Sequence, residues 1–329
     1  MEQSVVMKSK VEISRNLDGY SFPHKLSKDE AEIIKDKVND VLSNSKYDLI
    51  LNKTRELSKI ELDTLLEKEL IDDEFISNEN SSILKNHDKT ICILINGLDH
   101  IKIQTLGYDG IRNIYDIAND IDDLLEEHLK YSFDENLGYL TTCPINVGTG
   151  LKVTNVVHIP AIDRLNQVDD YHKIAHKIGV NFKGVYGKTK SILGNLYEIS
   201  NSVTIGRSED NIIKSVESMS KDITKREYEA RKTIKSLMGI ELEDVIFRSL
   251  ATLSSARVLT NTELMQYLSY VKLGIEMGYL EDVNLEKIDK LMTGRQPYLR
   301  LISAYDQENK EERATYIRRE FSLANRNSK

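Results

Sequence analysis

The strongest constraint on this chain is a change of periodicity near residue 208. Before it, short β-rich runs alternate with amphipathic segments. Beyond it, apolar residues recur at helical spacing almost to the end. That pattern implies an α+β part followed by an all-helical part. The junction falls at about residue 230, inside a helix that starts near Ser208, which gives two domains, 1–230 and 231–329. A chain of 329 residues suits two domains of ordinary size.

Local signals fill in this outline. Ser27 with Glu30, Ser58 with Glu61 and Thr260 with Glu263 are capping-box pairs. Each opens a helix whose apolar face follows: Ile34 and Val38, Leu65 and Leu66, Leu264 and Leu268. Residues 90–95 and 153–159 read as strands, and 111–129 as a long amphipathic helix. Gly179, Gly184 and Gly187 mark 179–187 as a loop between strands.

Composition removes several functions. The formal net charge of −8 opposes broad phosphate tracking, so no direct nucleic-acid binding is expected. No apolar run approaches the ~18–20 residues that cross a bilayer, and the N-terminus lacks a signal-peptide pattern. The only cysteines, Cys92 and Cys143, suit a reducing cytoplasm and exclude a disulfide scaffold or a Cys-rich zinc module. No membrane contact and no metal site are expected.

Generic motifs carry little further. Gly187-Lys188-Thr189 resembles the end of a phosphate loop, but Phe182 stands where that loop needs its first glycine. His172 and His176 share a helical face, yet Lys173 replaces the glutamate of a metalloprotease motif, which leaves two surface histidines. Cys143 before Pro144 is either a nucleophile or a structural cysteine.

Residues 138–151, GYLTTCPINVGTGL, are more specific. They resemble the active-site signature of the guanidino (phosphagen) kinases, most closely the bacterial protein-arginine kinase (McsB) branch. Residues 96–104, NGLDHIKIQ, resemble that family's NEEDHxRIQ segment. Residues 184–201 resemble its flexible loop and following strand, and 241–275 its C-terminal domain. The resemblance implies an antiparallel sheet flanked by helices, then an all-helical domain for dimerisation and partner binding. It also implies Mg-ATP as cofactor and transfer of the γ-phosphoryl group to protein arginine, a reaction dominated by positioning and charge neutralisation. The partners it implies are a ClpC-like unfoldase, a McsA-like activator and a CtsR-like repressor, all within Clp-protease stress regulation, with the chain itself a homodimer.

Carried over residue by residue, the resemblance places nucleotide binding at Lys8, Ser9, Lys10, Val11 and Glu12, at Glu69 and Lys102, and at Lys152, Val153, Thr154, Asn155 and Val156. The flexible-loop stretch adds Lys183, Gly184, Val185, Tyr186, Gly187 and Lys188. Catalysis falls on Cys143 and Asp99. The family's acidic residues correspond to Gly97, Leu98, Lys188 and Ser191. Lysines or a glutamate replace its phosphate-site arginines at Lys10, Glu12, Lys102, Lys152 and Lys183, and 30 lysines against 15 arginines show the same bias along the whole chain. Lysine keeps the charge but loses the planar fork that grips phosphate with two hydrogen bonds. A phosphoarginine-docking motif survives only in part at Asn309, Lys310, Arg313 and Ala314. These substitutions lead to the expectation of an impaired kinase; the alternative is a pseudokinase scaffold.

Overall fold

The computed structural model describes residues 5–108, 110–186, 192–293 and 309–324. The elements run β1 (Val6–Arg15), α1 (Lys28–Leu42), β2 (Ile50–Lys53), α2 (Lys59–Glu67), α3 (Asp73–Ser77), β3 (Ser82–Lys85), β4 (Ile91–Ile95), β5 (Ile101–Gly107) and α4 (Ile111–Glu126). There follow β6 (Phe133–Asp134), β7 (Gly138–Tyr139), β8 (Leu151–His158), α5 (Pro160–Arg164), α6 (Val168–Lys177), β9 (Val180–Tyr186) and β10 (Ile192–Asn201). The helical part comprises α7 (Glu209–Met238), α8 (Ile240–Ser255), α9 (Asn261–Glu276), α10 (Leu285–Met292) and α11 (Lys310–Ala324).

All three capping boxes form. Ser27, Ser58 and Thr260 each accept from the backbone N–H three residues on, and Glu30, Glu61 and Glu263 each reach back to the cap. α7 runs unbroken across residue 230.

Among the described residues, eight strands form one antiparallel sheet in the order β2-β3-β4-β5-β1-β8-β10-β9. One face carries Val11, Ile13, Ile93, Ile103, Val153 and Ile199, all fully buried in the main core with α1, α4 and α7. The other face is covered only at one end, where Leu65, Leu70 and Phe75 from the α2–α3 region pack on Ile83, Cys92 and Leu94. β1, β8, β10 and β9 therefore present a second face that no helix covers among the described residues, and this face becomes the floor of the site.

One expectation changes. Residues 179–187 are not a loop, because 180–186 form edge strand β9. The segment alternates Val180, Phe182 and Gly184 inward with Asn181 and Lys183 outward. Phe182 stacks on Tyr197 of β10 at 5.2 Å between ring centroids. Burial of that face outweighs the weak strand propensity of glycine.

The helical part is fastened to the sheet by a buried ionic network. Arg231 of α7 lies 2.9 Å from Glu227 and 2.9 Å from Glu276 of α9. Lys272 of α9 pairs with Glu276 at 2.9 Å and with Asp289 of α10 at 2.7 Å. Glu227 also accepts from the backbone N–H groups of Ala161 and Ile162, at the start of α5. Burial outweighs these contacts and raises the Glu227 pKa to about 7.

Arg231→Ala should strand Glu227 as a buried carboxylate without a cation and leave Glu276 with Lys272 alone. The expected cost is about 3–5 kcal/mol, read as a lower denaturant midpoint at pH 7. An unchanged midpoint would show that the network does not hold the two parts together.

Candidate functional site

The uncovered face is polar because alternate residues of each strand share it. Antiparallel register puts Glu12 of β1 opposite Gln104 of β5 and Lys152 of β8, with Ser14 opposite Lys102 and Lys10 opposite Thr154. On β9 and β10, Lys183 pairs with Glu198 and Asn181 with Ser200. Above this floor lies a cleft of about 450 Å³, lined among others by Glu12, Lys102, Cys143, Lys152, Lys183 and Glu198. Lys102 also lines a neighbouring cavity of about 240 Å³ with Leu98, Asp99 and Phe75.

Most of the charges of this face are already paired, although Lys102 forms no ion pair among the described residues. Glu12 Oε1 is 3.1 Å from Lys10 Nζ, and its Oε2 is 3.8 Å from Lys152 Nζ. Burial alone would raise the Glu12 pKa, but Lys10, then Lys102 and Lys152, outweigh it and hold the group at about 2. Burial lowers the Lys10 pKa, against the pull of Glu12. Lys183 Nζ pairs with Glu198 at 3.3 Å on the rim. Lys8 and Lys10 also reach the end of α2. Lys8 donates to the Glu69 carboxylate at 3.1 Å, and Lys10 donates to the Glu69 carbonyl at 2.6 Å. Both cations thus sit at a helix C-terminus, where the backbone dipole favours them.

The Cys143 loop is held by contacts that need no ligand. Cys143 is half-buried and precedes a single turn at Pro144–Asn146. Thr141 Oγ1 donates to its carbonyl at 2.8 Å, and Thr204 Oγ1 lies 2.7 Å from the carbonyls of Ile145 and Val147. Gly150 has φ +65° and packs so tightly on β1 that a Cβ would meet Ser14 O at 2.5 Å. Arg15, buried against Asp122 and lying 3.6 Å over the Tyr139 ring, donates to the Thr149 carbonyl at 2.8 Å.

Strand alternation separates the residues singled out by sequence. Lys8, Lys10, Glu12, Lys102, Lys152, Thr154, Val156 and Lys183 belong to the open face. Ser9, Val11, Val153 and Asn155 point into the core; Ser9 donates to Asn155, which donates to Ser220 of α7. Their side chains cannot reach a ligand in the cleft. Gly184 is on the inner side of β9, opposite Tyr197. Val185 and Tyr186 close β9. Gly187, Lys188 and Ser191 lie outside the described residues.

Asp99 lies in the turn between β4 and β5 rather than on a strand, so alternation does not decide its direction. It is 1% exposed, and its Oδ1 accepts from Asn16 Nδ2 at 2.8 Å and from the Thr142 N–H at 2.7 Å. Gly97 packs under Phe75, where a Cβ would come within 2.9 Å of the ring, whereas Leu98 is 42% exposed at the small cavity. Sequence reasoning missed Glu198, Ser14 and Ser200. The signal for Ser14 was present, since it is two residues from Glu12 on the same face.

In the helical part, Arg313 is 1% exposed and donates to the Leu259 carbonyl at 2.8 Å, and Ala314 is fully buried. The Lys310 carbonyl accepts from the Leu259 N–H at 3.1 Å, while the Asn309 and Lys310 side chains are half-buried. The surviving Arg-Ala pair thus anchors α11 to the segment before α9. His172 packs edge-on against Phe182, and no group of three metal-ligating side chains occurs among the described residues.

Comparison with known proteins places this architecture. Residues 31–230 match the ATP:guanido phosphotransferase C-terminal catalytic domain, and residues 239–329 match the protein-arginine kinase McsB C-terminal domain. The chain belongs to the protein-arginine kinase family. The protein-arginine kinase of Clostridium kluyveri is 37% identical over 328 residues, covering 97% of this chain and 95% of the relative. That of Clostridium tetani is 35% identical over 296 residues, covering 89% and 87%. Among solved structures, the duplicated taurocyamine kinase from Schistosoma mansoni superposes with a TM-score of 0.63 at 20% identity, over 76% of this chain and 38% of that one. A lombricine kinase gives 0.59 at 18% identity, over 68% and 66%. These neighbours share the antiparallel sheet flanked by helices. Among the described residues, no helix is long and apolar enough to cross a membrane.

A triphosphate would meet mixed charges in this cleft, since Lys102 forms no ion pair among the described residues while Lys10 and Lys152 share Glu12. The family's nucleotide would bring several negative charges onto a face where Glu12 already lies between Lys10 and Lys152.

The Glu12 pairing has a pH signature. Its folded pKa, about 2, lies below the ordinary 4.5, so its contribution to stability is complete above about pH 4.5 and is lost as pH falls towards 2. The loss is roughly 3 kcal/mol. Glu12→Gln should therefore flatten the fall in stability across this window, measured by urea unfolding at a series of pH values.

Proposed function

We propose that this chain is a protein-arginine kinase homologue whose phosphoryl transfer is weakened or lost, and that it acts in Clp-protease stress control chiefly through its fold and surfaces. The observation that carries this reading is Leu98. Transfer to a guanidinium needs a carboxylate to orient the acceptor and take its proton. At the position where the family resemblance calls for one, the chain presents an exposed leucine. Gly97 supplies no side chain, and Asp99 spends one oxygen on Asn16 and the Thr142 N–H while buried beneath the Cys143 loop. Of the other carboxylates lining the small cavity, Asp72 caps α3 by accepting from the Phe75 N–H at 2.8 Å, and Glu74 is exposed on the same short helix. Loss of a positioned base lowers a rate by about 10²–10⁴-fold.

On this reading the family's substrates, Mg-ATP and protein arginine, are handled slowly or not at all. Homodimerisation and binding to a ClpC-like unfoldase, a McsA-like activator and a CtsR-like repressor are the working roles.

The test is phosphoarginine formation. The purified chain is incubated with Mg-ATP and an arginine-rich acceptor protein, with and without a McsA-like activator, beside an active protein-arginine kinase. Mass spectrometry should find at least about a hundredfold less phosphoarginine from this chain. Leu98→Glu, at an exposed position that tolerates the change, should raise any residual transfer. Transfer at the rate of the active enzyme, abolished by Cys143→Ala, would overturn the proposal.

A further inference from the structure

We infer that Glu12 is a resident anion of the cleft. Its carboxylate fills the lysine cluster from within and makes the cleft select against ligands that carry a polyphosphate chain. Four observations support this. Glu12 sits on β1, between β5 and β8, opposite Gln104 and Lys152. Each of its carboxylate oxygens has its own lysine partner, Lys10 at 3.1 Å and Lys152 at 3.8 Å. The pair is inside the floor rather than on the rim, with Glu12 13% and Lys10 11% exposed at the side chain. Lys10 is also fixed from the other side by the Glu69 carbonyl, so it cannot swing out to follow a ligand.

An anion entering the cleft meets two obstacles. To gain Lys10 or Lys152 it must break an existing ion pair, and it must then lie next to a like charge in a partly desolvated place. Protonation of Glu12 does not relieve this near neutral pH, because its lysines keep it ionised down to about pH 2. The Lys183–Glu198 pair is different. Lys183 is 57% exposed on edge strand β9 and is free to turn towards a ligand. Selection against charge therefore resides in Glu12. It bears on binding alone and stands apart from the loss of the acceptor carboxylate at Leu98.

The test measures binding of inorganic phosphate, pyrophosphate and ATP to the full chain by calorimetry, for the unaltered protein, Glu12→Gln and Glu79→Gln. Glu79 is 79% exposed and distant on the surface, so Glu79→Gln reproduces the change in net charge without touching the cleft. Glu12→Gln is expected to bind ATP at least tenfold more tightly than the unaltered chain, with a smaller gain for phosphate and none for Glu79→Gln. Its affinity should also fall more steeply with salt, as for any site that recruits lysines to phosphate. Equal or weaker binding by Glu12→Gln overturns the inference.

A second reading guards against a folding defect. Removing the carboxylate leaves Lys10, Lys102 and Lys152 facing one another. The melting temperature of Glu12→Gln should fall and be restored by pyrophosphate, which should shift the unaltered protein little. A fall that pyrophosphate leaves uncorrected also overturns it. Tighter binding without phosphoarginine formation supports this inference and leaves the catalytic proposal standing. Phosphoarginine formation by the unaltered chain overturns only the latter.

Discussion

Four charged side chains buried where α7, α9 and α10 meet, with the half-buried Asp289 beside them, set the frame for the rest of the molecule. Arg231 and Lys272 are each shared between two carboxylates, and the group extends through Glu227 to the first N–H groups of α5. Removing charges of this kind from water is costly, so such a cluster persists only where every member is partnered at once. That requirement fixes α9 against β10 and α5 against α7. It continues along a polar chain in which His158 meets Ser269 at 2.8 Å and Ser269 donates to Asn195 at 2.8 Å. Burial, with Lys272 and Arg231 nearby, pushes the His158 pKa well down, so the imidazole joins this chain uncharged. The floor of the cleft is thus rigid from behind, because the backs of β8 and β10 are bolted to the helical part.

The front of the sheet obeys the same rule with a different result. Lys8, Lys10, Lys152 and Lys183 are also partnered, but by carboxylates of the sheet itself and by the end of α2, while Lys102 forms no ion pair among the described residues. A compact ammonium with three N–H donors can be met from several sides, as Lys10 is by Glu12 and by the Glu69 carbonyl, without the planar fork that grips a phosphate with two hydrogen bonds. Lysines and Glu12 together leave part of the positive charge of this face neutralised from within.

Much of this was legible in the sequence. The capping boxes, the buried run at β4 and the helix across residue 230 follow from local pattern, and local pattern is what they depend on. The strand at 180–186 was not legible. Three glycines suggested a loop, and it is the burial of one face in the β9–β10 pair, with Phe182 stacked on Tyr197, that makes it a strand. Nor could the sequence show that Glu12 meets Lys10 and Lys152. Residues 12 and 152 come together through the β1–β8 register, a long-range fact that no window of the chain contains. Asp99 is a related case, since it lies in the turn between β4 and β5, where strand alternation no longer sets a direction.

That turn explains why the Cys143 loop looks intact beside an altered acceptor site. Asp99 holds Thr142, Thr204 holds Ile145 and Val147, Gly150 lets the chain pass against Ser14, and Arg15 holds Thr149. All of these are demands of folding, which a chain meets whether or not it transfers a phosphoryl group. A well-formed cysteine loop is then weak evidence of chemistry. Leu98 is a better witness, since it packs nothing essential and is exposed at the cavity. A carboxylate there would serve the transfer that the family resemblance implies rather than the fold, so Leu98 is the position at which the proposed loss of transfer can be tested without disturbing the scaffold.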